Sequence, residues 1–270
     1  MLKPIFLCAD DFGLNPGVNQ GILALAHQGR LSATSCMSLA PAFAQDATAL
    51  AQTPIATGLH LSLTEPGASQ WPAQKLRQVI ARSLLRQWSI AELKGEIQRQ
   101  LDAFEDPMQR APHHVDGHQH IHALPMIREV LLDELQKRYG SGAPVLRSTR
   151  DGGGAPTLRD AFKAKVIQAL GSSALLRQAT QHHLSTSHAL LGVYGFDADE
   201  SLYLAHLQRW MQAARPDDLI MCHPAISNSA EDALGEQRVV EYRVLAGTQL
   251  PSILHALNAQ IVPGVPTMKL

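Results

Sequence analysis

The chain has 270 residues, and its 23 Lys and Arg against 24 Asp and Glu leave a net charge of −1, with the basic residues scattered along the sequence. That balance excludes the electrostatic footprint of a nucleic-acid binder or of a protein held on an anionic membrane, and favours a small polar or neutral partner. At this length an α/β barrel commonly folds around one core, so a single domain over residues 1–270 is expected.

The opening MLKPIFLCAD carries one Lys and a short apolar run that stops at Asp10 and Asp11. It is too short and wrongly flanked for a signal peptide or a membrane span, so a cytoplasmic protein is expected. Pro4 to Ala9 reads as a buried strand, followed by a helix over Pro16 to Gln28 and strands over Ala33 to Leu39 and Ile55 to Leu61. Pro66 to Trp88 interrupts this alternation. SIAELKGEIQRQLDAFED is the clearest helix: Ser89 and Glu92 make a capping box, and Ile90, Leu93, Ile97, Leu101 and Phe104 recur at helical spacing. His114 to Asp116 reads as a short strand, PMIREVLLDELQKRY as a helix with Pro125 in its first turn, and Val145 to Thr149 as the next strand. A second interruption, Asp151 to Gln181, opens with DGGGAP. Strands over Thr186 to Val193, Asp218 to His223 and near Ile261, with helices over Ala198 to Ala214 and Arg238 to Leu245, complete the pattern. Strands alternating with helices imply βα units around a parallel sheet, and the two interruptions fall where βα loops border the active face. Cys8, Cys36 and Cys222 each lie in an apolar run without metal-binding spacing, and read as buried reduced thiols.

Position within each unit is the informative regularity. Asp10 and Asp11 end the first strand, His60 the third, Asp116 and His118 the fourth, Arg147 the fifth and His223 about the seventh. Strand carboxyl ends converge on one face of an α/β barrel, so these distant residues become neighbours. Adjacent carboxylates such as Asp10 and Asp11 repel unless a cation or proton intervenes, although either alone reads equally as a helix cap. His60 alone reads as a hydrogen-bonded core histidine, His223 as a turn histidine, and Arg147 as a residue that pairs with or orients a carboxylate. The stretch HHVDGHQHIH, residues 113–122, adds five of the chain's 13 histidines. Read as extended chain, it puts His114, Asp116, His118, His120 and His122 on one face. At ~3.3 Å per residue one metal reaches at most one or two of them. The remainder are supporting groups, substrate contacts or solvated loop. A helical reading sets His118 and His122 at i and i+4, but Gln119 stands where a zinc-protease helix carries its general base.

ADDFGLNPGVNQGI, GLHLSLTE, HHVDGHQHIHALP and LIMCHPA, in that order and spacing, resemble the YdjC-like carbohydrate deacetylase family. The resemblance spans nearly the whole chain. It implies an α/β fold, a deformed (β/α) TIM-like barrel with parallel strands related to the polysaccharide deacetylases, and one divalent metal held by one Asp and two His. Carried onto this sequence, it makes Asp11, His60 and His118 the metal ligands and Asp10 the catalytic base, with Arg147 orienting the base and His223 supplying the acid. It departs from the wider polysaccharide deacetylases in drawing its two histidines from separate strands. The donor set suits Zn, Co or Ni more than Mg, with zinc favoured. The implied activity is removal of the acetyl group from an N-acetylated amino sugar. The implied partner is a small saccharide or glycoconjugate, with a homodimer left open. Two rival readings stand beside it: a metal-dependent phosphoester hydrolase on a barrel, which would want a second metal or a cationic clamp, and a non-enzymatic metal-binding protein. Trp71, Trp88, Tyr194 and Phe196 read equally as substrate platforms and as packing.

Overall fold

The computed structural model describes residues 2–268. Its strands are β1 (Lys3–Phe12), β2 (Ala33–Cys36), β3 (Ala56–Leu61), β4 (His114–Gly117), β5 (Val145–Leu146), β6 (Leu190–Leu191), β7 (Leu219–Cys222) and β8 (Ala259–Ile261). They form one sheet in the order β5-β4-β3-β2-β1-β7-β6, with β8 paired to β1, and each of these pairings is parallel. The two ends of that path approach each other through bridges between Leu146 and Thr186 and between Asp151 and Leu190. The sheet therefore curls into the deformed barrel expected from the sequence.

Strands covered on both faces read as continuous apolar runs, which is why β1 and β3 were conspicuous. All six residues of β3 are buried, including His60. Around the sheet lie α1 (Pro16–His27), α2 (Phe43–Ala51), α3 (Leu76–Leu84), α4 (Ile90–Met108), α5 (Ile127–Tyr139), α6 (Leu158–Ala169), α7 (Ser172–Gln181), α8 (Glu200–Ala213), α9 (Gly235–Ala246) and α10 (Gln249–Ala256). The side chains of Asn15, Ser89, Thr157 and Asp199 cap α1, α4, α6 and α8 by accepting from backbone N–H groups of the first turn. Because Asn15 is the cap of α1, the helix-cap reading of Asp10 and Asp11 falls away. α2 and α10 had no strong sequence signal. The two interruptions hold helices of their own, α3 in the first and α6 with α7 in the second.

Several strands are shorter than their apolar runs. Arg147 N–H makes the last ladder bond, to Val115 O at 3.0 Å, and beyond it Ser148 N–H donates to Ser187 Oγ at 2.9 Å. Side-chain and bridge bonds thus replace strand pairing, which confines β5 and β6 to two residues each. The histidine-rich stretch also breaks its expected alternation. β4 ends at Gly117, and residues 118–123 form a tight helical turn in which Gln119 and His120 take left-handed φ of 53° and 63°. The one-face arrangement of all five polar residues does not occur, because a pleat cannot continue through left-handed backbone.

Gly58 positions the cluster from the neighbouring strand. It pairs with His114, and a Cβ at residue 58 would lie 2.4 Å from the His114 ring carbon Cε1. The ring occupies the space that any other residue would fill. Gly58→Ala is expected to destabilise the protein by ~1–3 kcal/mol through overpacking, measured by denaturant unfolding. Unchanged stability would show that His114 does not lean across β3.

Candidate active site

At the end of β1 the register with β2 shifts between Ala9 and Phe12, and Asp11 takes a φ of 72°. Regular pleating would send Asp10 and Asp11 to opposite faces. The irregularity instead lets both serve one site, each with its own cation. Arg147 donates to both oxygens of Asp10, Nη1 to Oδ2 at 2.7 Å and Nη2 to Oδ1 at 2.6 Å. Asp11 receives Arg238 Nη2 on Oδ2 at 2.7 Å, while its Oδ1 faces His60 Nε2 at 3.3 Å and His118 Nδ1 at 3.2 Å. The repulsion that the DD pair raised is thereby resolved by two guanidiniums and a histidine pair.

His60 is oriented from behind. Its Nδ1 lies 2.6 Å from Asp116 Oδ1, directly across the β3–β4 ladder, which leaves Nε2 facing Asp11. A carboxylate behind an imidazole fixes both tautomer and ring direction at a metal site. The other Asp116 oxygen accepts from Ser35 Oγ at 2.6 Å and lies 2.5 Å from Arg147 Nη2. Ser35 in turn meets His114 Nε2 at 3.0 Å. His122 donates through Nε2 to the Arg147 carbonyl at 2.9 Å. Of the crowded cluster, then, His118 reaches Asp11, Asp116 backs His60, His114 supports Ser35 and His122 anchors Arg147.

On the far side of Asp10, His223 Nε2 stands 3.9 Å from Asp10 Oδ2, and Phe196 meets the His223 ring edge-on at 5.1 Å. Its backbone N–H donates to Glu241 Oε2 at 2.6 Å, and Glu241 also accepts from Tyr194 and Tyr203. Tyr194 and Phe196 are thus part of the wall behind His223. Trp71 and Trp88 stack on each other at 5.4 Å, with the Arg82 guanidinium 3.8 Å from the Trp88 ring, so both pack within the first interruption. Ser35, Arg238 and Glu241 escaped sequence reading. Arg238 and Glu241 carry a usable signal, since they sit at i and i+3 on the buried face of α9 beside Val244 and Leu245. Ser35 carries none.

Burial alone opposes charge on every group here, and the partners decide the outcome. Burial raises Asp10, Asp11 and Asp116, but Arg147 holds Asp10 and Asp116 below the usual carboxylate range and Arg238 with His118 holds Asp11 well below it. Burial lowers His60, yet Asp116 and Asp10 push it up to about 10. His223 is lowered, chiefly by burial. The site favours a positive charge at the Asp11–His60–His118 junction, where one ligand atom from each residue lies within 4.8 Å of the others. Two imidazoles and a carboxylate at that spacing fit a divalent transition metal. Two other groupings, Cys8–His114–Asp116 and Asp10–His60–Asp116, are equally tight. Both are already neutralised by Arg147, whose Nη2 lies 3.1 Å from Cys8 Sγ, 2.6 Å from Asp10 Oδ1 and 2.5 Å from Asp116 Oδ2.

A family model described as YdjC-like protein matches residues 4–256. A chitooligosaccharide deacetylase from Serratia marcescens is 28% identical over 265 residues, covering 94% of this chain and 95% of that one. A solved structure from Enterococcus faecalis V583, provisionally described as a cellobiose-phosphate cleavage protein, superposes with a TM-score of 0.65 at 20% identity, covering 97% of this chain and 98% of that one. A peptidoglycan N-acetylglucosamine deacetylase superposes with a TM-score of 0.53 at 10% identity, covering 97% and 86%. At these identities the structural likeness shows the fold alone, the deformed α/β barrel of the polysaccharide deacetylases.

Removing one of three protein ligands leaves a weak two-ligand site. His60→Ala and His118→Ala are therefore expected to purify folded and to lose most bound divalent metal, while His120→Ala and His122→Ala keep it. Elemental analysis of the four variants checks the contrast. Full metal content in both His60→Ala and His118→Ala would sink the assignment of the site.

Proposed function

The chain belongs to the YdjC-like protein family, and from that premise we propose that it is a metal-dependent carbohydrate deacetylase, removing the acetyl group from N-acetylated amino sugars. The observation that carries the reading is the convergence, at the carboxyl ends of β1, β3 and β4, of the Asp11–His60–His118 triple beside a second carboxylate, Asp10, clamped by Arg147. When bound to Asp11, His60 and His118, a divalent ion supplies Lewis-acid polarisation of the acetamide carbonyl and a lowered pKa for water. The donor set favours zinc over magnesium, with cobalt or nickel as substitutes.

Asp10 is the base in this reading. Arg147 keeps it ionised and fixes both of its oxygens, so it is ready to take a proton from the attacking water. As the amide C–N bond breaks, the departing nitrogen needs a proton, because an amide anion is too basic to leave. His223, neutral at rest through burial, sits 3.9 Å from Asp10 Oδ2. That spacing supports passage of the proton from Asp10 to His223 and on to the nitrogen, so the step balances as water plus amide giving acetate and amine. Phe196 and the Glu241 bond to its N–H restrict His223 to that side.

The phosphoester reading has less support. Both arginines buried at the site are committed, Arg147 to Asp10 and Asp116 and Arg238 to Asp11 and Asp232, so neither is a spare clamp for phosphate. A metal-storage role leaves Asp10, Arg147 and His223 without a use. The near-neutral net charge supports a small uncharged saccharide, and the three free, buried cysteines suit the reducing cytoplasm. Among the described residues, no helix is long and apolar enough to cross a membrane.

Metal-loaded protein incubated with mono-, di- and trisaccharides of N-acetylglucosamine is expected to release acetate and free amine in equal amounts from at least one, and chelator should abolish the release. Phosphate release from sugar phosphates with no acetate from any N-acetyl substrate would replace this reading by the phosphohydrolase. Asp10→Asn should keep the metal and lose activity by roughly 10²-fold or more, since the amide preserves shape and cannot accept the proton. Loss of metal together with activity in that variant would exchange the roles of Asp10 and Asp11. For His223→Ala the loss should be smaller on an activated ester, whose leaving group needs no proton, than on an amide; equal losses would argue against an acid role.

A further inference from the structure

The two histidines of the metal triple present opposite nitrogens to Asp11. His60 offers Nε2 at 3.3 Å and has its Nδ1 on Asp116 at 2.6 Å; His118 offers Nδ1 at 3.2 Å and has its Nε2 3.7 Å from Oε2 of Glu65. A neutral imidazole carries one N–H and one lone pair, and the acceptor that holds the N–H decides which nitrogen can bind a metal. We propose that Glu65 is a positioning residue of the metal site, accepting the Nε2–H of His118 and so directing the Nδ1 lone pair toward Asp11. The inference rests on the reading of Asp11, His60 and His118 as ligands.

The placement of Glu65 fits this task. It follows β3 five residues after His60, in a turn where its own N–H donates to Ser62 Oγ at 3.3 Å. Its side chain is 30% exposed against none for Asp116, so its carboxylate has room to close the remaining distance to a hydrogen bond by rotating. Direct ligation is the competing role. The His118 ring argues against it, because Glu65 meets the nitrogen on the opposite side of that ring from the one facing Asp11, and it is absent from the tight ligand triple. One loop and one strand thereby back the two imidazoles: Asp116 from β4 behind His60, Glu65 from the β3 exit behind His118.

The test is a competition titration of metal-stripped wild type, Glu65→Ala, Glu65→Gln and His118→Ala with Zn²⁺, together with the visible spectrum of the Co²⁺ forms. Glu65→Ala is expected to bind one ion about 10–100-fold more weakly with an unchanged Co²⁺ spectrum, since the ligands themselves remain. Glu65→Gln should recover most of that loss, because its amide oxygen still accepts the Nε2–H. An affinity of Glu65→Ala within twofold of wild type would overturn the proposal, as would a Co²⁺ spectrum altered by loss of a ligand. Retention of metal by His118→Ala would instead overturn the site reading beneath it. Glu65 is partly exposed on the loop after β3, so the variants are expected to fold, and unchanged circular dichroism confirms it.

Discussion

One buried guanidinium organises the strand ends. Arg147, 1% exposed, holds both oxygens of Asp10 from β1, reaches Asp116 from β4 and donates to Ser35 Oγ of β2, while its own carbonyl is held by His122. Charges taken out of water this completely are tolerated only when hydrogen bonds satisfy them, and removing one partner from such a set typically costs ~3–5 kcal/mol. The cluster therefore fixes the relative positions of β1, β2, β4 and β5 where the barrel is least regular, the two-residue β5. It also spaces the chemistry. With Arg147 occupying the grouping of Asp10 and Asp116, the cation-seeking position left over is the one formed by Asp11, His60 and His118.

Part of the backbone strain lies at the same end of the barrel. Asp11, Gln119 and His120 all take left-handed φ, at 72°, 53° and 63°, without being glycine. Each such residue costs of order 1–3 kcal/mol and persists only where its surroundings over-determine it. For Asp11 the surroundings are Arg238 and two imidazoles; for the tight turn they are Gly117, whose added Cβ would lie 2.9 Å from His122 N, and the His122 bond to Arg147. The strain buys two things that regular strands cannot supply: adjacent carboxylates facing one site, and a reversal that brings His118 back over β1.

The same departures from regularity explain what was legible in the sequence. Strands β1, β3 and β7 showed as apolar runs because both faces are buried, and the rule that barrel chemistry gathers at strand carboxyl ends was enough to group Asp10, Asp11, His60, His118, Arg147 and His223. Strand lengths were not legible at β5 and β6, where side-chain hydrogen bonds substitute for the ladder. Nor was the course of residues 118–123, since left-handed backbone at Gln119 and His120 runs against the preference of both residues. Ser35 and Glu65 were invisible for another reason. Each is a polar residue of common type whose importance comes from what it faces, and a single sequence does not record facing.

Burial and neighbouring charge sort four nearby histidines into different charge states. His114, His120 and His122 are driven down to about 4, 3 and 4 by loss of solvent, so they are neutral at physiological pH. His60, among carboxylates, goes the other way, to about 10. Had His114, His120 and His122 ionised, their positive charge would oppose a cation at the Asp11–His60–His118 junction; kept neutral, they leave the field to the carboxylates. Four carboxylates, Asp10, Asp11, Asp116 and Asp232, are paired to only two guanidiniums, Arg147 and Arg238. The negative charge left over draws a cation to the Asp11–His60–His118 junction, a proton on His60 or a metal ion in its place.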